Sequence, residues 1–197
     1  YAKELGYTIK LLAIATKENH TVQARVHPTM IPKDEMMAKV DGVLNAVEIE
    51  TDLAQQVIFH GPGAGSLATA SAVVADIVQI AKNIAENTAP AGKLVLSEII
   101  TLNPIDQLQA RYYFRLKVSN RPGVLGQIAV VLGELLISID SVIQKKTDDL
   151  VGIAELVLMT HQAAEAAIQQ AATQLETLDV VREVSNIIRV EEPKIGI

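Results

Sequence analysis

Two periodicities divide this chain of 197 residues. In the first half, apolar residues fall into short runs or alternate with polar ones, the two-residue period of a strand. Thr8 to Thr16 is an apolar run too short for a buried helix and predicts a strand. Thr21 to His27 alternates, with Val22, Ala24 and Val26 on one face and Gln23, Arg25 and His27 on the other. The polar turn Lys17-Glu-Asn-His20 between them predicts a hairpin. Pro28 and Pro32 bound the next loop, and Asp34 to Val40 predicts a short helix stopped by Asp41-Gly42. Leu44 to Glu50 and Gln56 to Phe59 predict two further strands. A helical period then takes over from about Ala64 to Glu86, so the first half reads as a sheet with a helix across it.

Asn87-Thr-Ala-Pro-Ala-Gly92 breaks that helix. Leu94 to Ile100 is apolar enough for a strand or a helix, and Asn103-Pro104 leads to the next core. Arg111 to Ser119 alternates cleanly, with Tyr112, Phe114, Leu116 and Val118 on one face and Arg115 and Lys117 on the other. Asn120-Arg-Pro-Gly123 is a loop in which Asn120 is placed to cap a helix and Pro122 to start it. Val124, Leu125, Ile128, Val131, Leu132 and Leu135 form one helical stripe. Ser138 to Lys146 predicts a strand, Thr147-Asp-Asp149 a turn and Leu150 to Thr160 the paired strand. Gln162 to Leu178 predicts a helix and Val180 to Val190 a closing strand. The order β-α-β-β-α-β is that of a ferredoxin-like unit. The fold class is therefore α+β, with a boundary near 87–110.

Composition narrows the function. The net charge is -6, which argues against nucleic acid as a partner, because phosphate binding needs clustered Lys and Arg. No cysteine is present, so disulfides and thiolate metal sites are excluded. The four histidines, at 20, 27, 60 and 161, lack metal-ligand spacing. The longest apolar candidate for a membrane span, Val124 to Ile139, is broken by Gln127, Glu134 and Ser138, so no membrane partner is expected.

The chemistry concentrates in His60-Gly-Pro-Gly-Ala-Gly-Ser-Leu-Ala-Thr-Ala-Ser-Ala-Val-Val-Ala-Asp76. A strand runs into a glycine-rich turn that opens directly into a helix. Small side chains admit close approach, and the first helical turn leaves amide N–H groups unpaired. Gly63-Ala-Gly65-Ser-Leu-Ala68 fits the G-x-G-x-x-A pattern of a dinucleotide site. The acidic residue that should follow about 20 positions later, at the end of a second strand, is missing. Close helix–strand packing and a nucleotide contact both remain open on pattern alone. Asp76 and Thr69 share one narrow helix face, where a buried acid would be either functional or a satisfied core hydrogen bond. His27 and His60, at strand ends, read as structural or as facing a cleft.

Val26-His-Pro-Thr-Met-Ile-Pro32, the Leu44 to Ile49 strand and above all Gly61 to Asp76 resemble the closing part of the catalytic region of homoserine dehydrogenase, over about residues 1–86. The resemblance implies NAD or NADP as cofactor and the interconversion of homoserine and aspartate 4-semialdehyde by hydride transfer. It implies that Gly65, with Gly63, lies beside the nicotinamide. It also implies that the Rossmann domain, the catalytic lysine and the aspartates that hold homoserine precede Tyr1. No catalytic residue is then expected in this stretch, and alone it should be inactive.

Val118-Ser-Asn-Arg-Pro-Gly-Val-Leu-Gly126, Ile139 to Gln144 and Ile187-Ile-Arg-Val190 resemble the ACT domain, a regulatory module for small amino acids, over 111–191. That resemblance implies an effector at Asn120, Arg121, Gly123, Val124 and Leu125, where backbone amides suit a carboxylate. Homoserine dehydrogenases often carry such a module, with threonine as feedback inhibitor. Exposed sheet faces predict a homodimer or higher oligomer under every reading, and the lack of cysteine agrees with a cytoplasmic location. Two other readings stay open: a stand-alone amino-acid-sensing module whose first half only dimerises, and a purely structural assembly piece.

Overall fold

The computed structural model describes residues 1–88, 100–148 and 152–192, with the side chains of 145–148 left aside. Of the element expected at 94–100 all but Ile100 lies outside the described residues, and of the turn expected at 147–149 the first two residues are the end of a strand while 149 lies outside them. The chain divides into two compact units, one holding 1–32 with 100–192 and the other 33–88.

The first unit is built on one mixed sheet. Strands β1 (Tyr7–Glu18) and β2 (Thr21–Pro32) form the predicted hairpin, closed by Asn19 and His20, with Asn19 at φ 54°. Asn tolerates the left-handed region better than most residues, which suits a two-residue connection. The short strand β5 (Thr101–Leu102) lies parallel to the start of β2. Then come β6 (Gln109–Ser119), helix α2 (Val124–Glu134), β7 (Ile139–Asp148), β8 (Ile153–Thr160), the short β9 (Ala163–Ala164), helix α3 (Glu165–Glu176) and β10 (Val181–Val190). The sheet order is β1-β2-β10-β6-β8-β7. Its last four strands, with α2 and α3, make the expected ferredoxin-like βαββαβ module. Phe114 of β6 stands between Leu158 and Ile187 in register. Tyr112, Phe114, Leu116 and Val118 point with Ile128, Leu132, Ile168 and Leu175 into one core.

Helix α3 is fastened by a buried ion pair. Glu165, 3% exposed, is its first residue, where a carboxylate also favours the helix dipole. It accepts hydrogen bonds from Tyr112 Oη (2.7 Å), Gln169 Nε2 (2.7 Å) and Arg189 Nε (2.7 Å), and Arg189 makes a second contact at 2.6 Å. Burial alone would raise the Glu165 pKa, but these donors outweigh it and hold the carboxyl below the usual Glu value. The same burial and the negative neighbour push the Tyr112 phenol up.

In the second unit, strands β3 (Leu44–Thr51) and β4 (Gln55–Pro62) form an antiparallel hairpin, followed by helix α1 (Ser66–Ala85). Several expectations change here. The helix expected over Asp34 to Val40 is a single 3₁₀ turn, Met37–Lys39. Pro28 and Pro32 lie within β2, because the strand continues to Pro32 in register with Tyr7. No residue of α1 is buried, so it does not lie across a sheet as expected, and Asp76 is exposed. Among the described residues α1 is the one helix long and apolar enough to cross a membrane by length and composition, a candidate that the reading for unbroken apolar runs passed over. Asp76 at its centre opposes that use, since a carboxylate at mid-bilayer costs about 2.5–3.5 kcal/mol.

Candidate functional site

Two helix starts carry the candidate residues, and both are built alike. Each follows a strand, each has a glycine at positive φ as its N-cap, and neither is closed by a side chain. Unpaired N–H groups therefore point outward from both.

At the first, Gly65 caps α1 with φ 117° and ψ 147°. Such angles are open essentially only to glycine. A Cβ built there would meet nothing within 4 Å, so the main chain is bare and approachable. The helix begins with Thr69 N–H donating to the Gly65 carbonyl at 3.0 Å. Gly63 differs. Its N–H donates to the Val43 carbonyl at 2.9 Å, and a Cβ on it would fall 1.3 Å from the Asn45 amide nitrogen. Gly63 thus lets the strand end lie against Asn45, while Gly65 presents open backbone. The corner therefore leaves main chain at Gly65 open to close approach. Asn45 was not singled out by the sequence pattern, since only the β3–β4 register, which pairs it with Gly61, brings it to the corner.

At the second, the β6–α2 loop, the structure brings Asn120, Arg121, Gly123, Val124 and Leu125 together at the head of α2. Gly123, at φ 87°, is the N-cap, so Asn120 does not cap the helix and Pro122 lies before it. Asn120 has other work. Its N–H donates to the Gly152 carbonyl at 2.8 Å, and its Oδ1 accepts from Gln144 Nε2 of β7 at 3.5 Å. Gly152, which supplies that carbonyl just before β8, is at φ 65°. Val124 is buried and anchors the helix start, whereas Asn120, Arg121, Gly123 and Leu125 are exposed. The first three exposed residues and the α2 amides form a polar rim, and Leu125, 44% exposed, gives it an apolar wall. Such a rim is suited to an amino acid, carboxylate toward the amides and side chain toward Leu125.

The histidines do not form a site. His27 is buried in β2, where its Nδ1 lies 2.9 Å from Thr29 Oγ1. Burial is the main cause that lowers its pKa, assisted by the charges of Arg189 and Arg25. His60 is exposed on β4. Among the described residues, no cluster of three or more potential metal ligands exists.

The two halves of the chain match two families. Residues 1–78 match the homoserine dehydrogenase model and residues 112–180 the ACT domain model. Homoserine dehydrogenase of Neisseria gonorrhoeae is 41% identical over 196 residues, covering 97% of this chain and 45% of that protein. The homoserine dehydrogenase of Synechocystis sp. is 38% identical over 199 residues, covering 96% and 46%. The crystal structure of a homoserine dehydrogenase from Thiobacillus denitrificans superposes with a TM-score of 0.84 at 36% identity, over 98% of this chain and 44% of that one. The chain spans a little under half the length of the relatives it matches. It belongs to the homoserine dehydrogenase family and carries an ACT domain.

Proposed function

We propose that this chain serves as part of a homoserine dehydrogenase that interconverts L-homoserine and L-aspartate 4-semialdehyde with NAD or NADP, in the biosynthesis of threonine, methionine and isoleucine. The observation that carries the reading is the corner at Gly65, with bare main chain at positive φ in front of an uncapped helix. When bound, the nicotinamide supplies or accepts the hydride. Gly65 gives the ring a flat main-chain surface, and Gly63 with Asn45 holds the corner's shape. The catalytic lysine and the Rossmann domain belong, on the resemblance, to sequence before Tyr1, so the isolated stretch is inactive. Exposed apolar residues of α1, among them Leu67, Val73, Ile77 and Ile84, suit packing on that domain.

Residues 1–86 act in the catalytic and dimerisation region, 87–110 as the linker and 111–191 as the regulatory ACT domain. The ACT loop takes an amino acid, threonine, at Asn120, Arg121, Gly123, Val124 and Leu125. Self-association uses the exposed apolar side chains of the first hairpin, Ile9, Leu11 and Val26. The enzyme works in the cytoplasm. The test is an assay of the full-length protein for NAD- or NADP-linked oxidation of homoserine, with calorimetry against threonine. Absence of turnover removes the enzymatic reading, and threonine binding without turnover favours a sensing module.

A further inference from the structure

Strand β2 is built inside out. Ala24 and Val26 are exposed, while Gln23, Arg25, His27 and Thr29 are each less than a tenth exposed. Burying a row of polar side chains is unfavourable unless they find partners, so the partners indicate what the row does. Gln23 Nε2 donates to the Pro104 carbonyl at 3.4 Å, on the segment that enters the βαββαβ module. Arg25 donates to Gln23 Oε1 at 3.4 Å and pairs with Glu191 at 2.6 Å, where the module ends. Thr29 stands beside Arg189 in the parallel register, and Arg189 holds Glu165 at the head of α3.

The backbone repeats the pattern. Thr101 N–H donates to the His20 carbonyl at 2.9 Å and Asn103 N–H to the Val22 carbonyl at 2.8 Å, both ahead of the module. Glu191 N–H donates to the Met30 carbonyl at 3.0 Å, behind it. One strand of the segment matched to the dehydrogenase model therefore grips both ends of the regulatory module. A flexible tether would let the module change state alone, but a continuous sheet does not. A displacement of β10 is passed to β2 through that pairing, and in the chain β2 is followed, from Lys33 on, by the segment that carries β3 and the glycine turn.

We infer that β2 is the element through which the effector-bound state of the ACT module reaches the dehydrogenase segment, with the Arg25–Glu191 pair as its latch. The inference rests on the effector reading proposed above. The latch is suited to the task because the Arg25 side chain is 5% exposed and that of Glu191 33%, so the pair is only partly screened by water.

The test uses the full-length protein with threonine as probe. Arg25→Met keeps the buried volume and removes the charge, and Glu191, one-third exposed, stays hydrated. In this variant, threonine affinity by calorimetry and turnover without threonine should stay within about twofold of wild type, while inhibition by saturating threonine falls at least about fivefold. Glu191→Gln should behave alike. Undiminished inhibition in both variants overturns the inference. A second measurement needs no variant: threonine should slow amide exchange across 21–32 by about threefold or more, together with 181–190. Unchanged exchange in 21–32, with protection confined to the module, also overturns it. A wild-type protein that binds no threonine removes the effector reading first, a result seen before any variant is made, and the inference falls with it.

Discussion

Glu165 shows how single residues set the stability of this chain. Its carboxylate is buried, yet three donors and a two-point contact with Arg189 keep it ionised. Glu165→Gln leaves Arg189 without its counter-charge and should destabilise the first unit by about 3 kcal/mol at pH 7, read by urea denaturation. The carboxyl's folded pKa lies below its ordinary 4.5, so the stabilisation is present above 4.5 and is lost as the pH falls through the lowered value. The gap between wild type and variant should narrow in that acid range. His27 has the same sign at a higher pH. Its native state holds the neutral ring, so its contribution is present above 6.5 and declines as the pH drops below it. His27→Gln should flatten the stability curve below pH 6.5, and an unchanged slope would contradict the buried neutral ring. At Gly65 the issue is backbone conformation. Gly65→Ala meets no steric obstacle but has to adopt φ near 117°, and should cost about 1–3 kcal/mol.

Among the elements, α2 is well anchored at its start and strained at its exit. The helix is held by Val124, Ile128 and Leu132, which are 5%, 0% and 0% exposed, so Leu132→Ala should cost about 2–5 kcal/mol in thermal or urea unfolding. Its end is less favourable. Leu136 sits at φ 59° with 91% of its surface exposed, just past the helix, while Ile137 N–H closes the turn on the Leu132 carbonyl at 2.9 Å. That is a position where glycine is the usual occupant. Leu136→Gly should therefore stabilise the module by about 0.5–1 kcal/mol, since little burial is lost and a left-handed leucine is relieved. Helix α1 is the opposite case, apolar nearly all round and nowhere buried. Propensity alone does not hold an apolar helix in water, and most helical stability comes from packing.

For the whole molecule, the hairpin β1–β2 has two unlike faces. One is the buried polar row that clasps the module. The other exposes Ile9 (47%), Leu11 (72%) and Val26 (69%). An apolar sheet face of this kind marks an interaction surface. Leu11→Glu in the full-length protein should shift sedimentation toward the monomer, and an unchanged oligomer would place the interface elsewhere.

Local pattern determined much of this. The βαββαβ order, the Tyr112–Val118 core face and the helix opening from the glycine-rich turn were readable, because a two-residue period, a helical stripe and a glycine before a helix are properties of a few neighbouring residues; the cap of the second helix was expected at Asn120 and is Gly123. Tertiary structure alone decided the rest. Alternation placed Val22, Ala24 and Val26 opposite Gln23, Arg25 and His27, but only the pairing of β2 with β10 and β5 turned the polar side inward. The strand also ran through Pro28 to Pro32, where the prolines suggested a loop, because β1 pairs with it along its whole length. Asn45 reached Gly63 only through the β3–β4 register, and Asn120 is bonded to Gly152 and Gln144 while Gly123 takes the cap. Which face is buried depends on what a distant segment brings to it, and a periodicity read along one strand carries no record of its neighbour.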